Sequence, residues 1–229
     1  MKKRIVAGSL IFFLLTGCDT THNILSSDSH GNVSNSETVK GLKEALRLGV
    51  DSATFHLGLL DGFYGDDIIR IGMPPETKKV EKALRDVGFG KTVDQAVVSM
   101  NRAAEDASKY VADIFLNSIK QMTIQDALGI LKGDNVAATN YLKRTTTTQL
   151  TIAVKPVVSH SLDYVNATKY WKEVFTAYNR FSNNPVNTDL TDYVTQKTLD
   201  GLFYHIGLEE QKIRKDPMAR VTDILKKVF

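Results

Sequence analysis

The chain has 229 residues, with 29 basic against 26 acidic side chains, 42% hydrophobic residues and a single cysteine. Lys2, Lys3 and Arg4 lie in an N-terminal leader that holds no acid; without it, 26 basic residues face 26 acidic ones and the body is formally neutral. Neutrality argues against nucleic acid as a partner, which demands a basic excess on one face. A lone cysteine rules out an internal disulfide, so stability must come from packing.

The leader reads as a secretory signal peptide over residues 1–17: a basic start, an apolar or small run from Ile5 to Leu15, then small residues before Cys18. That run covers only about 17 Å as a helix, against the roughly 30 Å of a hydrocarbon core. No later segment reaches eighteen consecutive apolar residues. Leu15-Thr16-Gly17-Cys18 resembles the bacterial lipoprotein box. The resemblance implies cleavage before Cys18, lipidation of its sulfur and acylation (palmitate or a similar chain) of the new amino terminus. Asp19 resembles the inner-membrane retention signal of enteric-type sorting. The expected location is the bacterial envelope, lipid-anchored and facing the periplasm.

Residues 18–35 are polar and without apolar period, a flexible lipidated tether that spans about 20–25 Å as a random coil. The folded domain is expected over 36–229. Ser34 and Glu37 have capping-box spacing, followed by Val39, Leu42, Leu46, Val50, Ala53 and Leu57 at helical intervals. Residues 58–73 are turn-rich, with Ile68-Ile69-Arg70-Ile71 as a short strand or a covered loop. Pro74-Pro75-Glu76 opens a helix that stops at Gly88. Thr92 and Gln95 suggest another capping box, opening one helix of about 30 residues to Met122 along an alanine-rich seam.

Thr123 with Asp126 caps a short helix closed by Gly133, and Asp134 caps the next. At 145–155 the reading divides between helix and strand. Thr145 to Thr148 and the alternating Leu150, Ile152 and Val154 favour strand by propensity; helical neighbours and the lack of a partner strand favour helix, kinked or restarted at Pro156. A helix after Asn166 carries Tyr170, Trp171, Val174, Phe175 and Tyr178. Another runs from Asp189 to about Lys215, and Asp216-Pro217 caps a last one ending in Val228 and Phe229. The expected fold class is all-α: a single multi-helix domain of about eight helices, with at most a minor strand near 68–71.

Several stretches of this body resemble the bacterial domain-of-unknown-function 4197 family of helical lipoproteins. They are Gly41-Leu42-Lys43-Glu44-Ala45-Leu46, Ser99-Met100-Asn101-Arg102-Ala103-Ala104-Glu105, Ile119-Lys120-Gln121-Met122-Thr123 with Asp126-Ala127, Leu199-Asp200-Gly201-Leu202-Phe203, and the tail from Thr222 to Phe229. The resemblance implies an all-helical periplasmic fold and no established activity, so it supplies no catalytic residue.

Candidate chemistry is sparse. Gly88-Phe89-Gly90-Lys91-Thr92 ends like a phosphate-binding loop, but Arg85 stands where that motif needs glycine and a helix precedes it. It reads as a helix stop followed by a Thr92 cap. No pair among His22, His30, His56, His160 and His205 has zinc-ligand spacing; His205 has Glu209 one turn away, a surface pair or a capped imidazole. Ser159-His160-Ser161 lacks the glycines of a nucleophile elbow. Asp66-Asp67 and Glu209-Glu210 read as solvated surface.

Asn101, Arg102 and Glu105 form a polar group beside the alanine seam, a structural network or a ligand contact, with structural pairing favoured. Tyr170, Trp171, Phe175 and Tyr178 read as core, or as the lining of an apolar groove. No catalytic, cofactor or metal residues are assigned. The expected function is a non-enzymatic binding or envelope-associated protein. Its partners are the membrane, through the N-terminal lipid, and a small apolar ligand or an envelope protein. The rivals are a carboxylate hydrolase that gathers groups such as Asp200 and Glu105, and a structural scaffold.

Overall fold

In the computed structural model the described residues are 34–164, 168, 171–172, 175–176, 179–180, 183, 185–187, 189–220, 223 and 226. They delimit seven α-helices, slightly off the eight or so expected, and contain no strand. The all-α class holds. The signal, the tether up to Val33, and Tyr170, Val174, Tyr178, Val221, Leu225, Val228 and Phe229 lie outside the described residues. Val33–Phe229 forms one compact unit.

Helix α1 spans Asn35–Leu57. Ser34 and Glu37 close the expected capping box: the Glu37 N–H donates to Ser34 Oγ at 3.2 Å and the Ser34 N–H to Glu37 Oε2 at 3.1 Å. The apolar row from Val39 to Leu57 is the buried face. Residues 58–74 then form a loop with no regular secondary structure beyond turns, so the short strand considered at 68–71 is absent. Of that run only Ile71 is fully buried, whereas Ile68 is 70% exposed; the segment contributes one anchor to the core rather than a strand face.

A 3₁₀ turn at Pro75–Thr77 leads into α2, Lys78–Leu84. The chain then makes a π-type turn over Arg85–Phe89, broken at Gly88 (φ 94°, ψ 4°), a left-handed geometry that glycine adopts without penalty. The predicted stop at Gly88 is therefore real, but the predicted Thr92–Gln95 box is not. Helix α3 already begins at Gly90, its N-cap is Phe89, and no side chain caps it.

The single long helix expected to Met122 is two helices: α3, Gly90–Ser108, and α4, Ala112–Gln121. Neither glycine nor proline marks the break. It follows from the neighbours. Helix α3 packs on the long helices that follow, whereas α4 packs on α1 and the first of those helices. Redirecting the axis at 109–111 keeps Ala107, Val111, Phe115 and Ile119 all buried. Helix α5, Ile124–Lys132, opens on the predicted Thr123–Asp126 box.

Helix α6 runs unbroken over Ala137–Tyr164 and settles the ambiguity at 145–155. Leu142, Thr146, Leu150, Val154, Val158 and Leu162 form a buried row at four-residue spacing, while Ile152 is 70% exposed. A strand would have placed Leu150, Ile152 and Val154 on one face. The threonines satisfy their hydroxyls within the helix: Thr145 Oγ1 donates to the Tyr141 carbonyl at 2.9 Å, Thr146 to Leu142 at 2.7 Å and Thr151 to Thr147 at 2.8 Å. Pro156 sits exposed, where water can reach the carbonyl its missing N–H leaves free.

Trp171 and Phe175 are buried, their rings 4.2 Å apart, and Trp171 donates to the Asn187 carbonyl at 3.1 Å. Helix α7, Leu190–Lys215, is N-capped by Asp189 and crosses α1, α3 and α6. One contiguous core joins nearly all these helices. After α7 the described residues show a 3₁₀ turn, Pro217–Ala219, where the last helix was expected to begin.

Candidate functional site

The loop 58–74 is irregular backbone laid across α3 and α7, and polar side chains hold it there. Asn101 is fully buried on α3. Its Oδ1 accepts the Ile71 N–H at 2.8 Å, and its Nδ2 donates to the Ile71 carbonyl at 2.8 Å and to the Val97 carbonyl at 2.7 Å. The carboxamide thus pairs with Ile71 as a neighbouring peptide would, satisfying both backbone groups of a buried residue.

One turn on, Glu105 Oε1 accepts the N–H groups of Phe63 and Tyr64, both at 3.2 Å. Arg102 donates from Nη1 to Glu105 Oε2 and from Nη2 to Asp61 Oδ1, each at 2.6 Å. The hydrogen bond to Asp61, then that to Glu105, raises the Arg102 pKa above its ordinary value. Asp61 has φ 67°, a left-handed conformation that aspartate tolerates better than most residues. The Tyr64 ring lies 5.0 Å from the Arg70 guanidinium carbon and 5.7 Å from that of Arg102. The structure therefore brings Asn101, Arg102 and Glu105 together and directs their hydrogen bonding to the loop backbone and Asp61.

The other side of the loop is tied to α7. Tyr193 donates its hydroxyl to the Gly72 carbonyl at 3.0 Å. Gly201 lets Phe63 approach the helix closely: a Cβ there would stand 2.5 Å from Phe63 Cε1. The expected pairing of His205 with Glu209 is not made. His205 Nε2 instead lies 3.0 Å from Asp66 Oδ2, because the folded loop brings that carboxylate over the helix, while Glu209 accepts from Ser52 Oγ at 3.2 Å. Burial pushes the Asp66 pKa up, but hydrogen bonds from the Ile68 N–H and His205 outweigh it and the net shift is downward.

Between loop and helix lies a cleft of about 370 Å³. Ile68, Ile69, Met73 and Pro75 line it from the loop side, Tyr193, Gly201 and Tyr204 from α7, and Arg70, Lys197 and Asp200 bring charge to it. Lys197 Nζ stands 3.8 Å from Asp200 Oδ2, too far for a hydrogen bond. Glu105 is not a lining residue, so the carboxylates a hydrolase would need, Asp200 and Glu105, do not share this cleft. No local signal in the sequence marks the cleft; of the stretch Leu199-Asp200-Gly201-Leu202-Phe203, Asp200 and Gly201 line it.

Two of the adjacent carboxylates, Asp66 and Glu210, depart from the expected solvated surface. Asp67 is an exposed partner of Arg70 at 2.9 Å, whereas Asp66 is half-buried and engaged. Glu210 is buried: its carboxylate accepts the N–H groups of Ala138 and Thr139 at 3.0 and 2.8 Å and the Thr139 hydroxyl at 2.8 Å, and pairs with Arg214 at 2.9 Å. It caps the N-terminus of α6 from another helix, a role expected of Asp134. Asp134 instead accepts the Val136 N–H at 2.9 Å, just ahead of the helix. Among the described residues no group of three histidine, cysteine or acidic side chains is placed to hold a metal ion. His22, His30, Cys18 and Asp19 lie outside the described residues.

Neither a curated protein nor a solved structure matches the chain. A family model described as "Protein of unknown function (DUF4197)" matches residues 32–229, which span the whole helical unit and both walls of the cleft. The chain belongs to that family.

Proposed function

We propose that this chain is a membrane-anchored, periplasm-facing lipoprotein that binds a ligand without transforming it, and that the cleft between residues 68–75 and α7 is its binding site. The observation that carries the reading is the cleft itself: apolar and aromatic walls with a few charged groups converging on them, the usual composition of a ligand pocket. Glu105, one of the two carboxylates a hydrolase was expected to gather, does not line the cleft and already accepts three hydrogen bonds beside the loop. The anchor rests on Leu15-Thr16-Gly17-Cys18. Among the described residues no helix is long and apolar enough to cross a membrane, which accords with attachment through lipid. Asp19, next to the acylated cysteine, favours retention in the inner membrane.

Two measurements test this. The mass of the N-terminal fragment should show acyl chains on Cys18, lost in Cys18→Ser; an unmodified cysteine in the wild type removes the anchor. The full chain in phosphatidylcholine nanodiscs should bind members of a panel of small apolar carboxylates and short peptides saturably. Tyr204→Ala should weaken that binding. Binding indifferent to Tyr204, or turnover of a bound member, overturns the cleft as a site for ligand alone.

A further inference from the structure

Arg70, Gly72 and Met73 line one wall of the cleft, and the backbone of this segment is bonded on two sides but not completely. Ile71 has both backbone groups taken by Asn101, on the α3 side. Ile71 and Gly72 find their partners on opposite sides, the alternation that successive residues of extended backbone show. Gly72 accordingly turns its carbonyl to Tyr193 on α7, at 3.0 Å. Its N–H has no acceptor among the described residues, and Gly72 is exposed with nothing within 4 Å of where a Cβ would stand. A lone backbone donor beside apolar walls suits a ligand that supplies a carbonyl in extended geometry.

Charge narrows the class. The lining carries two cations and one anion. Arg70 is already engaged by the Tyr64 carbonyl at 2.6 Å and by Asp67 at 2.9 Å. Lys197 has only Asp200, at 3.8 Å, so its ammonium is available to an incoming carboxylate. Tyr204, 36% exposed, and Ile68, 70% exposed, offer apolar surface beside it.

Resting on the cleft as the binding site, we infer that its ligand is an extended polypeptide segment with alternating apolar and acidic side chains, which pairs with the Gly72 N–H and sets a carboxylate on Lys197. This is strand addition to an unpaired edge, where main-chain bonds supply affinity and side-chain contacts supply selectivity. Asn101 makes the edge possible: standing in for the inner neighbour, it takes both backbone groups of Ile71 from the α3 side.

The test uses the full chain in phosphatidylcholine nanodiscs and two fluorescein-labelled hexapeptides, one alternating valine with glutamate and one alternating valine with lysine, followed by anisotropy. The acidic peptide should bind about tenfold or more tighter than the basic one, and Lys197→Glu should remove that preference. Gly72→Pro deletes the donor without costing the free protein a hydrogen bond, and should weaken the acidic peptide about tenfold. Equal binding of the two peptides, or affinity unchanged in both variants, overturns the inference. Separately titrated 4-phenylbutyrate distinguishes the two readings. If it binds in a Tyr204-dependent way while neither peptide does, the cleft stands as a site and the peptide inference falls. If none of the three probes binds, both fall.

Discussion

Glu105 and Glu210 are the same residue set to two tasks. Both are buried, both accept two backbone N–H groups from a distant segment, and both are paired by an arginine on their own helix. Glu105 holds an irregular loop, whereas Glu210 holds the first turn of α6, among the longest helices and one buried along its length. Their arginines differ in exposure: the Arg102 side chain keeps 35% of its surface, Arg214 only 13%. Identical chemistry is thus spent in one case on shaping a cleft wall and in the other on the frame that the wall leans against. The comparison implies that losing Glu105 is a local event and losing Glu210 a global one.

Glu210→Ala should give the largest effect. It strands Arg214 in a nearly dry site and orphans two N–H groups and a hydroxyl, and removing one partner of a buried pair costs about 3–5 kcal/mol. Urea unfolding followed by far-ultraviolet circular dichroism should show that loss in one cooperative transition; a shift below about 1 kcal/mol would end the argument that Glu210 supports the frame. Glu105→Ala should cost less, about 1–3 kcal/mol for unsatisfied buried N–H groups, because Arg102 is half-solvated and the loop can open. Hydrogen exchange should accelerate at Phe63 and Tyr64 ahead of the α6 amides. Uniform acceleration across both regions would erase the distinction between loop and frame.

Gly201→Ala probes the contact between them. The added methyl would meet Phe63 Cε1 at 2.5 Å, with Cζ at 3.0 Å. Phe63 is fully buried and cannot swing into solvent, so overpacking of about 1–3 kcal/mol is expected. The same substitution displaces the cleft wall, so affinity for any cleft ligand should fall with stability. A stable variant with unaltered binding would show that the Gly201–Phe63 contact does not set the position of the wall.

What could be read beforehand follows the range of each interaction. The capping boxes at Ser34 and Thr123 act within one helical turn, so residue spacing reveals them. The α6 row at four-residue intervals was present in the sequence, but threonine and β-branched propensity obscured it until Ile152 proved exposed. The polar trio on α3 was visible because Arg102 and Glu105 stand one turn apart beside alanines. Glu210 was missed through its neighbour Glu209, although one signal was available: Ile206, Glu210 and Ile213 share a helical face, with Arg214 a turn beyond Glu210. The α3–α4 break and the cleft had no local signal. The first depends on which helices lie alongside; the second joins Gly72 to Tyr193, 121 residues away.

The smallest effect belongs to the Asp66–His205 pair, which ties the loop's tip to α7. The Asp66 pKa in the folded chain lies below its ordinary value, lowered by the Ile68 N–H and His205 against the opposing push of burial. A carboxylate so shifted contributes stability above its unfolded pKa, about 3.9, and loses it as pH falls through the lower folded value. The Asp66 side chain is 29% exposed and that of His205 23%, so solvent screening limits the contribution to less than about 1 kcal/mol. Asp66→Asn should therefore be slightly less stable than the wild type near pH 6, and the gap should narrow steadily as pH falls below the unfolded pKa of about 3.9, measured as urea midpoints across that window. A gap that persists at the acidic end would assign the cost of the variant to packing rather than charge. The loop would then be fastened ionically only on its α3 side, through Arg102 with Asp61 and Glu105, and by packing and the Tyr193 hydroxyl on α7.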